Sequence, residues 1–306
     1  MSGGASLDLA RGAARVALLP HVGGAIAAFS WRDVDVLRPM PDEARATGNV
    51  RLAACYPLVP YSNRIRDARL RFGNADHALT RNFGDHPHAI HGVGWQRAWR
   101  IERATGASAV IAYDHVAQGD DARAWPWPFR AMQAFDLSGD GVRARLLAML
   151  TIANTGDAPF PYGLGWHPYF PRDASSTLRF DADHYWRNDA TQLPVEQIPA
   201  AADWSFSAGR GFGDVTIDNV FGGWAGSATL DSRERGLATT IVADRACDRL
   251  VVYAPAGHGF VAIEPVTHET DAFNRAARGA IGTGMRVLAP GAAFSCTMGI
   301  EVSALR

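Results

Sequence analysis

The sequence predicts an all-β protein, and three observations carry that expectation. From Val142 to Asn154, the side chains Val142, Ala144, Leu146, Ala148, Leu150 and Ile152 alternate with the opposite set that begins Arg143, Arg145. Period two held over that length belongs to an amphipathic strand and excludes a helix. A second pair of runs, Leu250–Tyr253 and Phe260–Glu264, flanks the turn Ala254-Pro-Ala-Gly-His-Gly259 as a hairpin. Finally, no repeat and no linker divides the 306 residues. The length alone suggests about two domains, but large all-β sandwiches of this size also form one. One β-domain spanning residues 1–306 is therefore expected.

Taken in order, Ala14 to Trp31 reads as two short strands around Pro20-His-Val-Gly-Gly24, a glycine-rich turn. Residues 40–49 read either as a short helix started by Pro41 and Asp42 or as loop. The stretch from Tyr56 to Arg66 holds too many prolines for a regular element and leads into a strand, Arg69–Phe72. Strands are predicted over Arg97–Arg103, Ala107–His115 and Phe129–Leu137, with the aromatic segment Trp125-Pro-Trp-Pro-Phe129 before the third. Those rings suit either the core or a platform for a sugar. Ser138-Gly-Asp-Gly141 turns the chain into the long strand. Short strands follow at Thr177–Phe180 and His184–Trp186, then a loop-rich portion from Asn188 to Gly226. A short helix over Asp271–Gly279 and strands over Met285–Leu288 and Phe294–Val302 complete the chain.

Composition narrows the function. Hydrophobic residues make up 47% of the chain, enough for a large core, and the net charge is -1. No basic field exists to hold nucleic acid or an acidic membrane, so neither is expected as a partner. All 30 basic residues are arginine, which removes Schiff-base chemistry and the phosphate-loop lysine. Cys55, Cys247 and Cys296 are odd in number and far apart, poor material for disulfides or a thiolate zinc site. A reducing cytoplasm fits them. Arg11 and Arg15 precede a short apolar run, but Pro20, His21 and the glycine pair break it too early for a signal peptide. No stretch reaches the roughly 18 apolar residues of a membrane span.

Five stretches carry candidate chemistry. In Pro161-Tyr-Gly-Leu-Gly-Trp-His-Pro-Tyr-Phe-Pro171, proline on the C-terminal side of His167 stops regular pairing. His167 should then stand where a strand opens into a loop. It either exchanges protons with a ligand or packs against Trp166 and Tyr169. Asn63-Arg64 on the proline-rich segment reads as a clamp for a polar ligand or as a surface ion-pair residue beside an asparagine. His86, His88 and His91 invite a metal, yet Pro87 and the nearby glycines deny them a shared helical face, and no metal site is expected. His91, on its Gly92-Val-Gly94 turn, is expected to face a ligand. Alternation places Phe260, Ala262 and Glu264 on one face, so Glu264 prolongs an apolar face where Pro265 ends the strand. Such a carboxylate is either exposed at an edge or held in a partly dry pocket, with its pKa raised toward that of a working base. Asp218, in Thr216-Ile-Asp-Asn-Val-Phe221, reads as a turn-former in a loop or as an acceptor for hydroxyl groups.

With His91, His167 and Glu264 assembled, the chain resembles the aldose 1-epimerase (galactose mutarotase) family over nearly its whole length. The residues that carry the resemblance are Asn63-Arg64, His91-Gly92, Trp127-Pro-Phe before a strand, Asn154-Thr-Gly-Asp-Ala-Pro, Gly165-Trp-His-Pro-Tyr-Phe, Asp218 and Glu264-Pro265. The resemblance implies a large antiparallel β-sandwich, the galactose mutarotase-like supersandwich, with an open cleft for a small-molecule sugar. It implies Glu264 as general base and His167 as general acid, with Arg64, His91, Asp218 and Asn63 binding substrate and no cofactor. The chain departs from the galactose-type pattern at Gly92-Val-Gly94, Pro171 and Asn219, which leaves the preferred aldose open. Two other functions stay open: a carbohydrate-binding protein without catalysis, and a phosphosugar 1-epimerase using Arg64, Arg66, Arg69 and Arg71. A hydrolase or lyase would need a second carboxylate facing Glu264, which the sequence does not locate.

Overall fold

Long runs with one apolar face must bury that face, and here they do so in two large antiparallel sheets. The structure is a computed structural model that describes residues 6–305, excepting the side chains of residues 202 and 203. One sheet has nine strands in the order Arg100–Ala104, Ser108–His115, Phe129–Gly139, Arg143–Asn154, Ala293–Ala304, Leu237–Ala243, Ser227–Ser232, Thr177–Phe180 and Arg210–Gly211. The second runs Pro194–Pro199, His184–Asn188, Ile217–Gly222, Arg249–Ala254, Phe260–Val266, Gly165–Trp166 and Pro57–Leu58, with Tyr169–Pro171 also paired to Phe260–Val266. A four-stranded sheet from Leu7–Arg11 to Val34–Asp35 and three two-stranded ribbons complete the architecture.

The predicted alternation sets the packing. In the long strand Arg143–Asn154, Leu146 lies opposite Leu137 on one side and Ile300 on the other. These residues join Leu250, Val252, Val261 and Ile263 of the second sheet in one buried cluster, the filling of the sandwich. Trp125 is fully buried there and Trp127 packs against the same cluster, so the Trp-Pro-Trp-Pro segment is core and no sugar platform. The other face of the second sheet carries a smaller cluster that includes Val220, Val251, Ala262, Tyr169, Tyr56 and Trp95. That face, and not the sandwich interior, is where the polar candidates gather.

The structure decides one open alternative and corrects several expectations. Residues 40–49 form the helix Asp42–Thr47, ended by Gly48 at φ 68°, the left-handed stop that glycine favours. The portion expected to be loop-rich contains Pro194–Pro199 and Ile217–Gly222. Asp218 therefore sits inside the second sheet, not in a loop. Its neighbours His184–Asn188 and Arg249–Ala254 override the weak strand preference of Asp-Asn. Ser227–Ser232 and Leu237–Ala243 are strands that were not predicted. Pro265 does not end its strand, which continues to Val266. On one side of that strand the ladder is broken: Tyr169–Pro171 pairs with Phe260, Val261 and Ala262, and the next pairing is Gly165 with Val266. Ile263 still donates to the Pro168 carbonyl across this gap, and the N–H that Pro265 lacks would face the same side. The sheet loses nothing by holding a proline there.

The glycine-rich turn forms as expected between Ala14–Leu19 and Ala25–Trp31. Gly23 has φ +66°, and a Cβ there would stand 2.0 Å from the backbone oxygen of Trp95. Gly23→Ala should cost about 1–2 kcal/mol for the left-handed backbone plus the displacement of Trp95. A urea midpoint lowered with unchanged slope is the expected measurement.

Candidate functional site

The gap in the sheet beside Glu264 is filled by Trp166-His167-Pro168, and this brings two chemically complementary groups together. Nε2 of His167 lies 3.2 Å from Oε1 of Glu264. Both residues are buried, which removes the sheet-edge alternative for Glu264. The His167 ring stacks on Tyr169 at 4.5 Å and tilts against Tyr56 at 4.8 Å, while Trp166 turns into the sandwich core. Tyr169 Oη stands 3.5 Å from His167 Nε2 and 3.3 Å from Tyr56 Oη, so two phenols flank the pair.

Burial dictates the protonation of this pair. It raises the Glu264 pKa well above the ordinary carboxylate value, with the negative charge of Asp218 adding to the rise and Arg64 opposing it. Burial also pushes His167 down to about 3, helped by the positive charges of Arg38 and Arg64. Both shifts favour a neutral carboxyl group facing a neutral imidazole. The pair holds one proton as a unit, and moving that proton across 3.2 Å gives carboxylate and imidazolium.

The proline-rich segment and the histidine turn form the adjoining wall, with the His91 ring 5.3 Å from that of His167, through a reciprocal lock. His91 N–H donates to the Asn63 carbonyl at 2.9 Å, and Asn63 N–H donates to His91 Nδ1 at 3.0 Å. Both residues hold left-handed backbones, with φ 57° and 62°, a costly state for side chains other than glycine and one that clusters at functional sites. Gly92 is required beside them, because a Cβ would lie 2.3 Å from the Val59 oxygen. Since Nδ1 accepts, the His91 proton resides on Nε2. Burial and the neighbouring His167 hold the His91 pKa well below its usual value, so the ring is a neutral hydrogen-bond donor.

Arg64 completes the wall. Its Nη1 donates to Asn63 Oδ1 at 3.0 Å and its Nη2 to Asp218 Oδ2 at 3.2 Å, leaving Nε buried without a partner. All six predicted residues (Asn63, Arg64, His91, His167, Asp218 and Glu264) line one cleft of about 630 Å³. Three of the four arginines considered for phosphate binding do not: Arg66, Arg69 and Arg71 lie around other hollows, away from it. His86 reaches the cleft, whereas His88 Nδ1 accepts from the Asp67 N–H. Among the described residues, no three His, Cys, Asp or Glu side chains are grouped as a metal ion requires.

Sequence reasoning missed Arg38, Arg51, Tyr56, Phe83 and Tyr253, which also line the cleft. Tyr56 opens the same proline-rich stretch as Asn63-Arg64, a signal that was available. The others come from separate parts of the chain, with no local pattern to mark them.

Comparison with known proteins gives a consistent result. A family model described as Aldose 1-epimerase matches residues 6–301. The uncharacterized protein YphB of Escherichia coli (strain K12) is 30% identical over 291 residues, covering 92% of this chain and 93% of that protein. A crystal structure from Escherichia coli K12, of a protein provisionally described as an aldose 1-epimerase, superposes with a TM-score of 0.86 at 25% identity, over 98% of this chain and 99% of that one. A galactose mutarotase-like protein from Clostridium acetobutylicum gives 0.85 at 17% identity, over 98% of this chain and 95% of that one, a likeness of fold.

The buried histidines make stability depend on pH. His91, His167 and His268 have folded pKa values lowered below 6.5, to about 3 for His167 and about 4 for His268. Below pH 6.5 the unfolded chain takes up protons that the folded chain refuses, so stability falls on acidification from 6.5 toward 4. Each histidine contributes about 1.4 kcal/mol per pH unit to that slope, and the raised pKa of Glu264 works against part of it. Urea unfolding at pH 7, 6 and 5 should show falling stability. Long-range ¹⁵N NMR should find His91 as the Nε2–H tautomer throughout.

Proposed function

This chain belongs to the aldose 1-epimerase family, and we propose that it interconverts the α and β anomers of a free aldose by acid–base ring opening and reclosure. The observation that supports this reading is the buried 3.2 Å contact between Glu264 and His167 on the wall of a cleft of about 630 Å³.

In the proposed cycle the sugar enters with O1 toward Glu264 and the ring oxygen toward His167, and the pair's proton stands on the imidazole. Glu264 takes the proton of the O1 hydroxyl as C1–O1 becomes a carbonyl. The bond from C1 to the ring oxygen breaks, and that oxygen takes the proton of His167. After C1 turns about its bond to C2, the same steps run backward. The ring oxygen attacks the other face of the carbonyl, its proton returns to His167, and Glu264 protonates O1. Each group ends as it began, so the reaction needs no cofactor and no external proton. His91, through Nε2–H, and Arg64 donate to the ring oxygen and neighbouring hydroxyls, while Asp218 accepts from them. Asn63 steadies Arg64 and fixes the tautomer of His91.

Polarimetry of freshly dissolved α-aldoses, with and without the protein, tests the activity. Faster equilibration of at least one sugar is expected, and no acceleration across a broad panel would overturn the reading. Activity should survive EDTA. Glu264→Gln should lower turnover by roughly 10²–10⁴ while sugar binding by calorimetry changes far less. The same substitution should raise the melting temperature above pH 4.5. There the unfolded glutamate is ionised, whereas the folded one is held neutral at a cost that glutamine does not incur. A variant that is active within a few-fold of the parent would remove Glu264 from the mechanism.

A further inference from the structure

The acid–base pair handles C1 and the ring oxygen, which every aldose shares, so the choice of substrate lies elsewhere in the cleft. Three arginines line it: Arg38, Arg51 and Arg64. Arg64 is paired with Asp218. The other carboxylate of the cleft, Glu264, is held neutral by burial. Among the described residues, neither Arg38 nor Arg51 forms an ion pair. The cleft therefore carries two uncompensated positive charges.

Both charges belong to one wall. Arg51 sits on the short helix Val50–Leu52, with its guanidinium 3.9 Å over the ring of Phe83. Arg38 donates from Nη2 to the carbonyl of Ala53, just beyond that helix. The Arg38 guanidinium is held over two rings, 4.2 Å from Tyr169 and 4.6 Å from Phe260. Its Nε is buried without a partner, and Nη1 makes no hydrogen bond among the described residues. Burial lowers the Arg38 pKa, the sign of a cation held at a desolvation cost with no anion to offset it. Such a cation is fixed in place and lacks only an acceptor.

Position selects where on the sugar that acceptor belongs. Arg38 lies over the same Tyr169 ring on which His167 stacks. His167 is the group assigned to the ring oxygen, and the ring oxygen is bonded to C5, which bears the exocyclic carbon of a hexopyranose. The arginine wall thus adjoins the ring-oxygen end of the sugar, while Arg64 and Asp218 hold other hydroxyls. We propose that the preferred substrate is an aldose carrying an anionic group on its exocyclic carbon, a carboxylate or a phosphate, bound by Arg38 and Arg51. This rests on the anomerase reading and deepens it. The arginines concerned are not Arg66, Arg69 or Arg71, which lie outside the cleft.

The test compares glucose with glucuronate and glucose 6-phosphate, and galactose with galacturonate and galactose 6-phosphate. Anomer exchange is followed by NMR and binding by calorimetry, at low and high salt. The expected result is a kcat/KM for at least one anionic series about ten- to a hundredfold above its neutral counterpart, the contribution of a charged hydrogen bond or two, declining with salt. Comparison of the uronates with the phosphates identifies which anion fits. Arg51→Gln, at an exposed position where folding is not at stake, should shrink the anionic-to-neutral ratio severalfold through KM, and Arg51→Glu should shrink it further. Arg38→Gln should do the same if it folds. Turnover of neutral sugars at least as good as of anionic ones overturns this inference and leaves the anomerase reading standing. If no sugar is turned over, that reading fails. Calorimetry then decides the anion preference alone: tighter binding of the anionic sugars sustains it, and equal or weaker binding overturns it.

Discussion

The buried contact between Glu264 and His167 is the constraint on which the electrostatics of the site depend. A carboxyl group and an imidazole 3.2 Å apart would form an ordinary ion pair in water, with the proton on histidine. Burial reverses this, because separating charge in an apolar surround costs more than neutralising the pair. Both pKa shifts favour the uncharged carboxyl and imidazole, and added polarity at the pair favours the charged form.

The fold supplies that pocket by an interruption. A continuous ladder along Phe260–Val266 would cover Glu264 with a neighbouring strand. Instead the neighbour splits into Gly165–Trp166 and Tyr169–Pro171, and His167 occupies the space between them. Prolines border the break at Pro168 and Pro265, each removing an N–H that a regular sheet would use. Behind the pair, Val220, Val251 and Ala262 make a packed floor. Asp218, Val251, Tyr253, Phe260 and Glu264 thus face the cleft from strands, while the lock between Asn63 and His91 fixes two strained residues against each other beside them.

How much of this was legible follows from how each signal is encoded. Val142–Asn154 announced itself because one residue in two faces the core over a long run. The alternation of Phe260, Ala262 and Glu264 was equally readable and assigned the right face: Ala262 and Glu264 line the cleft side, Val261 and Ile263 the sandwich. Asp218 was misplaced because Asp-Asn weakens the strand pattern locally, and only pairing on both sides makes Ile217–Gly222 a strand. Arg38 and Arg51 were invisible. Their significance is an ion pair not made, and missing partners leave no mark in a sequence. His167 and Glu264 each carried a bland alternative until the structure brought them together, since contact between distant residues is not written in either stretch.

The departures from the galactose-type pattern acquire a different meaning once they are located. Asn219 donates its side-chain amide to the Trp186 carbonyl at 2.8 Å, on the strand position between Asp218 and Val220, and it does not line the cleft. Pro171 pairs with Phe260 at the end of its short strand, and Val93 is buried beneath the turn after His91. All three changes therefore act on the scaffold around the site. A choice among aldoses must be exercised by groups that reach the ligand, and the cleft residues not yet committed to the acid–base pair or to Arg64 and Asp218 lie mainly on the wall of Arg38, Arg51 and Phe83. Separation of this kind has a physical basis. In the proposed reaction the pair acts on atoms common to all aldoses, whereas a wall that reads one substituent must present polar atoms to it. The two demands are met on different parts of one cleft, joined through the ring of Tyr169, which stacks on the acid and carries the arginine.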